Sequence, residues 1–278
     1  MKLHLKNKFA YLLFLPLVGL TLTGCEKDDD DPIIETRIVE KDVPKYNATI
    51  NFIEKVNGVE AQLNSSNKPY INKLGQAFNI SRLRYLVSNV TFHKSDGSNF
   101  TMKDYHFVDI SKSETSTYKP EIKVPAGEYE YISFTFGFDR NDNKSGIYPE
   151  LNLANWAWPG KGSMMGDLGG GYHFMQLEGE YDSSSVSKGF EVHMGMARNN
   201  NFTPPIFEDN HFIARLDSSS IKVGGDFSFS IVMNVEQWFE NPYEWDFDIF
   251  NVSLMGNYDA QRKLNINGPS VFSYYKAN

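Results

Sequence analysis

The 278 residues of the chain, 41% of them hydrophobic, are enough for one large domain with its own core. The formal net charge is −8 and the basic residues form no stripe, which excludes nucleic acid and anionic membrane surfaces as expected partners. Cys25 is the only cysteine, so no disulfide framework is available and stability has to come from core burial or a metal.

The first 24 residues are predicted to be the signal peptide of a bacterial lipoprotein. Three lysines precede an apolar run over residues 9–22, which is too short and too early for a membrane span. Leu22, Thr23, Gly24 and Cys25 together resemble the lipobox at which such signals are cleaved. The sequence therefore predicts Cys25 as a lipid-carrying N-terminus, which anchors the protein without spanning the membrane.

Residues 25–45 are charged, aperiodic and contain proline, and we predict an acidic tether there. The acidic run at 26–31 is similar to the surface-export signal of some Gram-negative lipoproteins, and a solvated spacer explains it equally well. Three of the 27 Lys and Arg lie in the signal peptide, and none of the 35 Asp and Glu do, so the remaining chain has a formal charge of −11. The predicted location is the outer membrane, facing either the cell surface or the periplasm.

Residues 46–278 are predicted to form one β domain, since many short alternating segments are separated by Gly-, Pro- and Asn-rich turns. Strands are expected over 49–56, 83–92, 105–110, 129–138, 172–179, 189–196, 227–235 and 247–254. Short helices are expected over 236–239, 259–264 and 270–276. This pattern favours an all-β class, either an antiparallel sandwich or a partly closed barrel.

The alternation of side chains along the strands separates the candidate metal ligands. His193 points away from the apolar face of its strand, and Gly195 leaves room beside it, so His193 is either a ligand or a plain solvent-facing residue. His173 and His106 share faces with apolar residues, which favours a core or edge role for both. Glu54 also lies on an apolar face, where an unpaired carboxylate is costly. Either its strand leaves the core there or it has a metal, a Lys or Arg, or a His as partner.

A tryptophan pair, Trp156 and Trp158, is followed by a Gly- and Met-rich stretch and then by the segment that contains His173. Such a pair on a flexible segment before a His-bearing strand indicates a metal or ligand site. The sequence contains no zinc-protease motif, phosphate loop, nucleophile elbow or EF-hand loop. We therefore expect a binding protein and not an enzyme.

Several segments, taken in order, resemble the MbnP-like copper-binding domain family, named for periplasmic proteins associated with the copper-chelating peptide methanobactin. The segments are INFIEKVNG at 50–58, GQAFNISRLRYLVSN at 75–89, DYHFVD at 104–109, PAGEY at 125–129, ISFTFGFD at 132–139, WAW at 156–158, GYHFMQLEG at 171–179 and HMG at 193–195.

The resemblance implies an antiparallel Greek-key β-sandwich that binds copper. In members of this family a tryptophan is oxidised to kynurenine by a partner dihaem enzyme of the peroxidase type, and the modified residue joins histidines at copper. Carried over to this chain, Trp156 or Trp158 is the modified residue and His193 the foremost histidine ligand. Imidazole suits copper, and kynurenine offers an amine that indole lacks.

The chain departs from the family pattern at two places. Glu54 stands where relatives often have a histidine, and residues 159–170 intervene between the tryptophan pair and the next strand. Either departure is expected to weaken copper binding. Met164 and Met165 in the inserted stretch are either thioether ligands for Cu(I) or simple packing anchors.

Two functions follow from these patterns. The first is a non-catalytic copper-binding lipoprotein of copper acquisition or homeostasis, with His193, Trp156, Trp158, Glu54, His173 and His106 as candidate site residues. The second is a surface glycan- or protein-binding β-sandwich module whose metal site has decayed, with exposed aromatic residues as its binding face.

Overall fold

Long β-strands around an aromatic core dominate the computed structural model, which describes residues 42–276. Nineteen strands occur in this part of the chain: β1 (Lys45–Tyr46), β2 (Ala48–Val56), β3 (Val59–Glu60), β4 (Tyr70–Ile71), β5 (Ala77–Phe78), β6 (Arg82–His93), β7 (Asn99–Asp109), β8 (Thr117–Tyr118), β9 (Val124–Pro125), β10 (Gly127–Tyr129), β11 (Tyr131–Phe136), β12 (Met175–Ser183), β13 (Val186–Met194), β14 (Ala197–Asn199), β15 (Ile206–Glu208), β16 (Phe212–Leu216), β17 (Ile221–Val223), β18 (Phe227–Asn234) and β19 (Phe272–Tyr275).

Two α-helices lie within the described residues, α1 (Pro149–Leu153) and α2 (Tyr258–Asn267). Short 3-10 turns occupy Ser113–Ser116, Val235–Phe239, Leu254–Gly256 and Gly268–Ser270. None of the helices over residues 42–276 is long and apolar enough to cross a bilayer. The predicted signal peptide, Cys25 and the tether up to residue 41 lie outside the described residues.

The larger sheet has eight strands and is organised around β6. Strand β7 pairs with β6 from Arg84 to His93. The other edge of β6 is shared by two strands, since β12 pairs with its first half and β11 with its second half. Strand β13 then pairs with the whole length of β12, and β16 pairs with β11. All these pairs are antiparallel.

The smaller sheet has the order β19-β18-β2-β3, with β8 also paired to β2. The pairing of β2 with β18 is parallel, with Ala48 opposite Phe227 and Lys55 opposite Asn234. This pair is an exception to the antiparallel arrangement that the sequence predicts. It requires a crossover, which the larger sheet supplies because all eight of its strands lie between β2 and β18 in the chain.

The two sheets face each other across an aromatic core. Ring contacts join Phe52 of β2 to Tyr85 of β6 at 6.1 Å, and Phe92 of β6 to Phe229 of β18 at 6.2 Å. The alternating burial of β2 arises because its inner-face residues pack against this core while the others stay half-buried. The predicted all-β sandwich with few short helices is therefore confirmed.

Residues 247–254 do not form the predicted strand. The carboxylate of Asp246 accepts a hydrogen bond from the backbone of Asp248, and the carbonyl of Asp246 accepts one from Phe250, which coils the segment. Phe247 stacks on Phe190 at 4.6 Å, while Ile249 is 67% exposed. The apolar residues thus bury individual rings and do not line one face of a strand.

The helix predicted over residues 270–276 does not form, because Ser270 ends a 3-10 turn and Phe272–Tyr275 form β19. The backbone of β19 pairs with β18 along the edge of β18 that does not face β2, so β19 becomes the outermost strand on that side of the smaller sheet. Phe272 enters the core beside Phe134 and Trp238, while Tyr275 is exposed. The helical pattern of this segment is weak, so its pairing with β18 and the burial of Phe272 determine that it forms a strand.

Candidate metal centre

The segment that carries the two tryptophans lies antiparallel beside the chain that leads into β12. Ala157 forms a bridge with Tyr172, the backbone N–H of Trp158 donates to Gly171, and that of His173 donates to Trp156. The two indoles therefore flank the position of His173 from one side. Local backbone pairing, and not sequence proximity, brings these residues together.

Four rings form a continuous cluster, which we call the histidine–tryptophan cluster: Trp156, Trp158, His173 and His193. The ring of His173 lies 5.3 Å from Trp156, 4.9 Å from Trp158 and 5.3 Å from His193, measured between centroids. Both indoles and His173 are buried, and the side chain of His193 is 14% exposed. His193 is thus the member that reaches furthest toward solvent.

His193 lies on the outer face of the larger sheet, as its strand phase predicts. Its register partner on β12 is Gln176, whose own partner on β6 is Arg84. The guanidinium of Arg84 donates to the side-chain oxygen of Gln176, so these residues share the outer face.

The sequence assigns His173 to the face of Met175 and Leu177, and the structure differs. Strand β12 begins only at Met175, and a bend at Phe174 interrupts the alternation before it. The ring of His173 consequently meets His193 on the outer side of the sheet while Leu177 enters the core. His173 is buried, but it is buried beside the other histidine.

Gly195 does not leave the open space that the sequence suggests. A Cβ atom at Gly195 would lie 2.4 Å from the indole of Trp158, far closer than any real contact. The space above Gly195 is therefore filled by Trp158. The glycine is required so that the indole can lie against the strand and reach His173.

Helix α2 fixes the end of the strand that carries His193. Asn257 is the N-cap residue of the helix, and its side chain accepts a hydrogen bond from the backbone N–H of Ala260. The fully buried Gln261, one turn later, donates to the carbonyl of His193 and accepts from the backbone N–H of Gly195. The sequence pattern gives no signal for this contact, because it depends on how the helix is docked.

The environment of His173 keeps its imidazole neutral. Burial, and then repulsion from His193, lower the pKa of His173 to about 3. Its Nδ1 lies 3.1 Å from the carbonyl oxygen of Trp156, and a carbonyl only accepts, which assigns the proton to Nδ1. The Nε2 atom, which has no hydrogen bond among the described residues, then carries a free lone pair for a metal.

In His193 the other ring nitrogen, Nε2, makes the orienting hydrogen bond, and its partner is a carboxylate. This Nε2 donates to Oε1 of Glu178 at 2.8 Å, and Arg82 donates to the same oxygen at 2.7 Å. Burial raises the pKa of Glu178, but these two hydrogen bonds outweigh it and hold the pKa below the usual value. Glu178 thus fixes the orientation of the His193 ring and leaves Nδ1 as the nitrogen that can bind a metal. Carboxylates play this role behind metal-bound histidines.

Glu178 is a supporting residue that is absent from the candidates predicted from the sequence. The signal was present, since Glu178 lies two positions after Gln176 and so shares its outer face. The pairing of β12 with β13 was needed to bring it to His193.

The two indoles have different surroundings. Nε1 of Trp158 donates to the carbonyl of Leu168 at 3.0 Å. Nε1 of Trp156 is buried and has no hydrogen-bond partner within residues 42–276. The ring of Trp156 packs against Phe107 at 4.7 Å and lies under the guanidinium of Arg84 at 5.2 Å.

A cavity of about 750 Å³ opens beside the cluster and gives it access to solvent. His173, His193 and Trp158 line its inner wall, and the stretch over residues 159–163 forms part of its rim. Trp156 does not line this cavity. The cavity is therefore the route by which a small ligand reaches the two imidazoles.

Glu54 and His106 lie on the opposite side of the larger sheet. Glu54 accepts a hydrogen bond from the hydroxyl of Tyr85 at 2.6 Å, so its partner is a tyrosine and none of the groups predicted from sequence. His106 is stacked against Phe52, and its Nε2 donates to the carbonyl oxygen of Thr115 at 2.7 Å.

The six candidate residues thus fall into two groups. Tyr85 and Arg84 are neighbours on β6 and point to opposite faces, so residues that contact Tyr85 are separated from the cluster by the sheet itself.

The donors in the cluster fit copper by type. No group of three or more His, Cys, Asp or Glu side chains within the described part of the chain is arranged to hold a metal ion. The cluster supplies two imidazoles, each with one nitrogen that makes no hydrogen bond among the described residues, and imidazole is a preferred copper ligand. His173 and His193 are the residues that could hold the metal.

An all-β sandwich with a histidine–tryptophan cluster on the outer face of its larger sheet defines the class of protein. The chain belongs to the MbnP family, since the model of that family matches residues 45–255. A solved structure described as MbnP from Methylosinus trichosporium is similar, with a TM-score of 0.53 over 85% of this chain and 100% of that chain. At 14% identity, this likeness shows the fold alone. No curated protein matches the chain.

Proposed function

We propose that the protein is a non-catalytic copper-binding lipoprotein whose metal is held by His173 and His193. The observation that carries the proposal is the contact between the two imidazoles, 5.3 Å apart beside the buried tryptophan pair. Each ring has one nitrogen committed to an oxygen partner and the other free, which prepares both rings for a cation. Membership of the MbnP family and the lipobox at Cys25 support copper as the cargo and the lipid anchor.

The proposal includes oxidation of one tryptophan to kynurenine by a dihaem peroxidase-type partner. Trp156 is the better candidate, because its indole N–H has no hydrogen bond that the modification would break, whereas that of Trp158 is bound to Leu168. Peptide mass spectrometry of the fragment with both residues, from the native source, tests this step. An unmodified mass at both positions would remove it.

The glycan-binding alternative has less support. It needs exposed aromatic rings, and of the four aromatic residues that the sequence offers for such a face, Trp156, Trp158 and Trp245 are buried while Tyr243 is 43% exposed. A binding face for sugars would have to use other residues. The other part of this alternative, a metal site that has lost its function, is tested by the copper measurement described next.

Copper stoichiometry of the mature protein tests the main proposal. We expect one copper ion per wild-type chain after dialysis, and loss of tight binding in His173→Gln and in His193→Asn, because each variant removes one imidazole. His106→Gln is the matched control, since it removes a histidine from the inner side of the sheet. Circular dichroism checks that all variants are folded.

Equal copper binding by wild type and His193→Asn would overturn the proposal. So would loss of copper in His106→Gln together with retention in the other variants, which would move the site to the inner face. Absence of copper from the wild type would favour the decayed site.

A further inference from the structure

Met164 and Met165 do not serve as packing anchors. Their side chains have relative exposures of 106% and 64%, so neither is buried against the sandwich. Exposed thioethers contribute little to stability, and the ordinary explanation for methionine in a loop therefore does not apply to this pair. Met165, which lines a cavity together with His173 and His193, therefore needs a different explanation.

Met165 and Met255 approach His193 from two separate segments. Met165 lies on the inserted stretch 159–170, and Met255 lies in the 3-10 turn Leu254–Gly256. Both methionines and His193 line one small cavity of about 360 Å³. The same three residues also line the larger cavity that His173 lines. Met164, next in sequence, lines neither of these two cavities.

The chemistry of these donors differs from that of the cluster alone. Thioether sulfur is a soft, neutral ligand that selects Cu(I), whereas Cu(II) prefers tetragonal nitrogen and oxygen sites. Two imidazoles with two thioethers form a neutral donor set, which suits a monovalent ion of low charge. Glu191 is the one carboxylate among the described residues that line these two cavities.

We propose that Met165 and Met255 are thioether ligands that, with His193, make this a Cu(I)-selective site. The inference rests on the proposed function, in which His193 holds copper. It gives the inserted stretch 159–170 a role: the stretch brings a sulfur ligand to a site that otherwise holds only nitrogen donors.

The test is Cu(I) and Cu(II) affinity, each measured by competition with a chromophoric chelator, the first without oxygen. The variants are Met165→Leu, Met255→Leu and the double variant, with Met164→Leu as the matched control from the same stretch. Leucine keeps the volume of methionine, so the fold is retained. We expect the double variant to lose about tenfold or more in Cu(I) affinity, with Cu(II) affinity and the control unchanged.

X-ray absorption of the Cu(I)-loaded protein gives an independent readout. We expect copper–sulfur scattering in the wild type and in Met164→Leu, and its absence in the double variant. Unchanged Cu(I) affinity and no sulfur scattering would overturn the inference. If His193→Asn then still abolished copper binding, the proposed function would stand without it. A wild type that binds neither ion would remove both.

Discussion

Single residues in this protein are explained by contacts that cross from one element to another. The outward direction of His193 follows from strand alternation, and sequence is enough to predict it. The partner of Glu54 is not predictable in this way, because Tyr85 belongs to the opposite sheet and meets it only when both sheets are in register. The direction of His173 also escapes prediction, since the bend at Phe174 breaks the alternation.

Glu54→Gln is expected to stabilise the protein at neutral pH. Burial raises the pKa of Glu54, so the folded protein holds this proton to a higher pH than the unfolded chain does. Ionisation of the buried Glu54 destabilises the folded protein. This destabilisation is absent at a pH below the pKa of Glu54 in the unfolded chain, and it grows as the pH rises from there to the pKa in the folded protein. Glutamine removes the charge and can still accept from Tyr85.

We expect the free energy of unfolding of Glu54→Gln to exceed that of wild type by on the order of 1 kcal/mol at pH 7. The difference should shrink as the pH is lowered toward 4.5, the ordinary value for a glutamate. Urea denaturation at several pH values measures it. Glu128→Gln, an exposed residue on β10, should change stability by less than about 0.5 kcal/mol. A gain of equal size at every pH would contradict the explanation.

At the scale of elements, sequence predicts the long strands and fails for irregular segments. The predicted bounds of β2, β6, β13 and β18 differ from the observed ones by only a few residues, and β2 alternates in burial along its whole length because one of its faces lies on the core. Strands of two or three residues escape detection, since they are too short for a period. The strand predicted over 247–254 is wrong because the apolar residues of this segment are buried separately and not along one face. The helix predicted at the C-terminal end is wrong because β19 forms by pairing with the edge of β18.

Gly195 connects strand β13 to the tryptophan segment, and its substitution should separate them. Gly195→Ala puts a Cβ atom 2.4 Å from the ring of Trp158 in the present geometry, so the indole has to move. We expect a loss of about 1–3 kcal/mol in the free energy of unfolding and a red shift of tryptophan emission. Urea denaturation followed by fluorescence measures both.

Gly189→Ala is the matched control on the same strand. A Cβ atom there would lie 3.9 Å from the nearest atom, the carbonyl oxygen of Gly179, so its effect should stay within about 0.5 kcal/mol. If the two variants lost the same stability, Gly195 would have no special role in seating Trp158.

On the scale of the whole molecule, the two faces of the larger sheet have different roles. The inner face packs against the smaller sheet and supplies the stability of the domain. The outer face carries the histidine–tryptophan cluster, in which Trp156 joins the main core while Trp158 packs in a separate small cluster with Leu168 and Met196. Because these apolar contacts exist without a metal, the proposed copper ion would be a cargo and not a structural metal of the kind found in small zinc domains.

Lipidation of the whole protein is tested at Cys25. Cells grown with labelled palmitate should incorporate label into the wild-type protein and into His193→Asn, but not into Cys25→Ser, because serine lacks the thiol that receives the lipid. Immunoprecipitation with autoradiography detects the label. Equal labelling of all three proteins would show that Cys25 is not the attachment site.

The parallel pairing of β2 with β18 has a consequence for how the protein is made. Strand β2 meets its parallel partner β18 only when residues 227–234 have been produced, so the smaller sheet closes by a contact between distant parts of the chain. Pairing between such distant strands slows folding. In the proposed lipoprotein, whose chain would be exported by the predicted signal peptide, the smaller sheet would therefore close only after nearly all of the domain has been translocated.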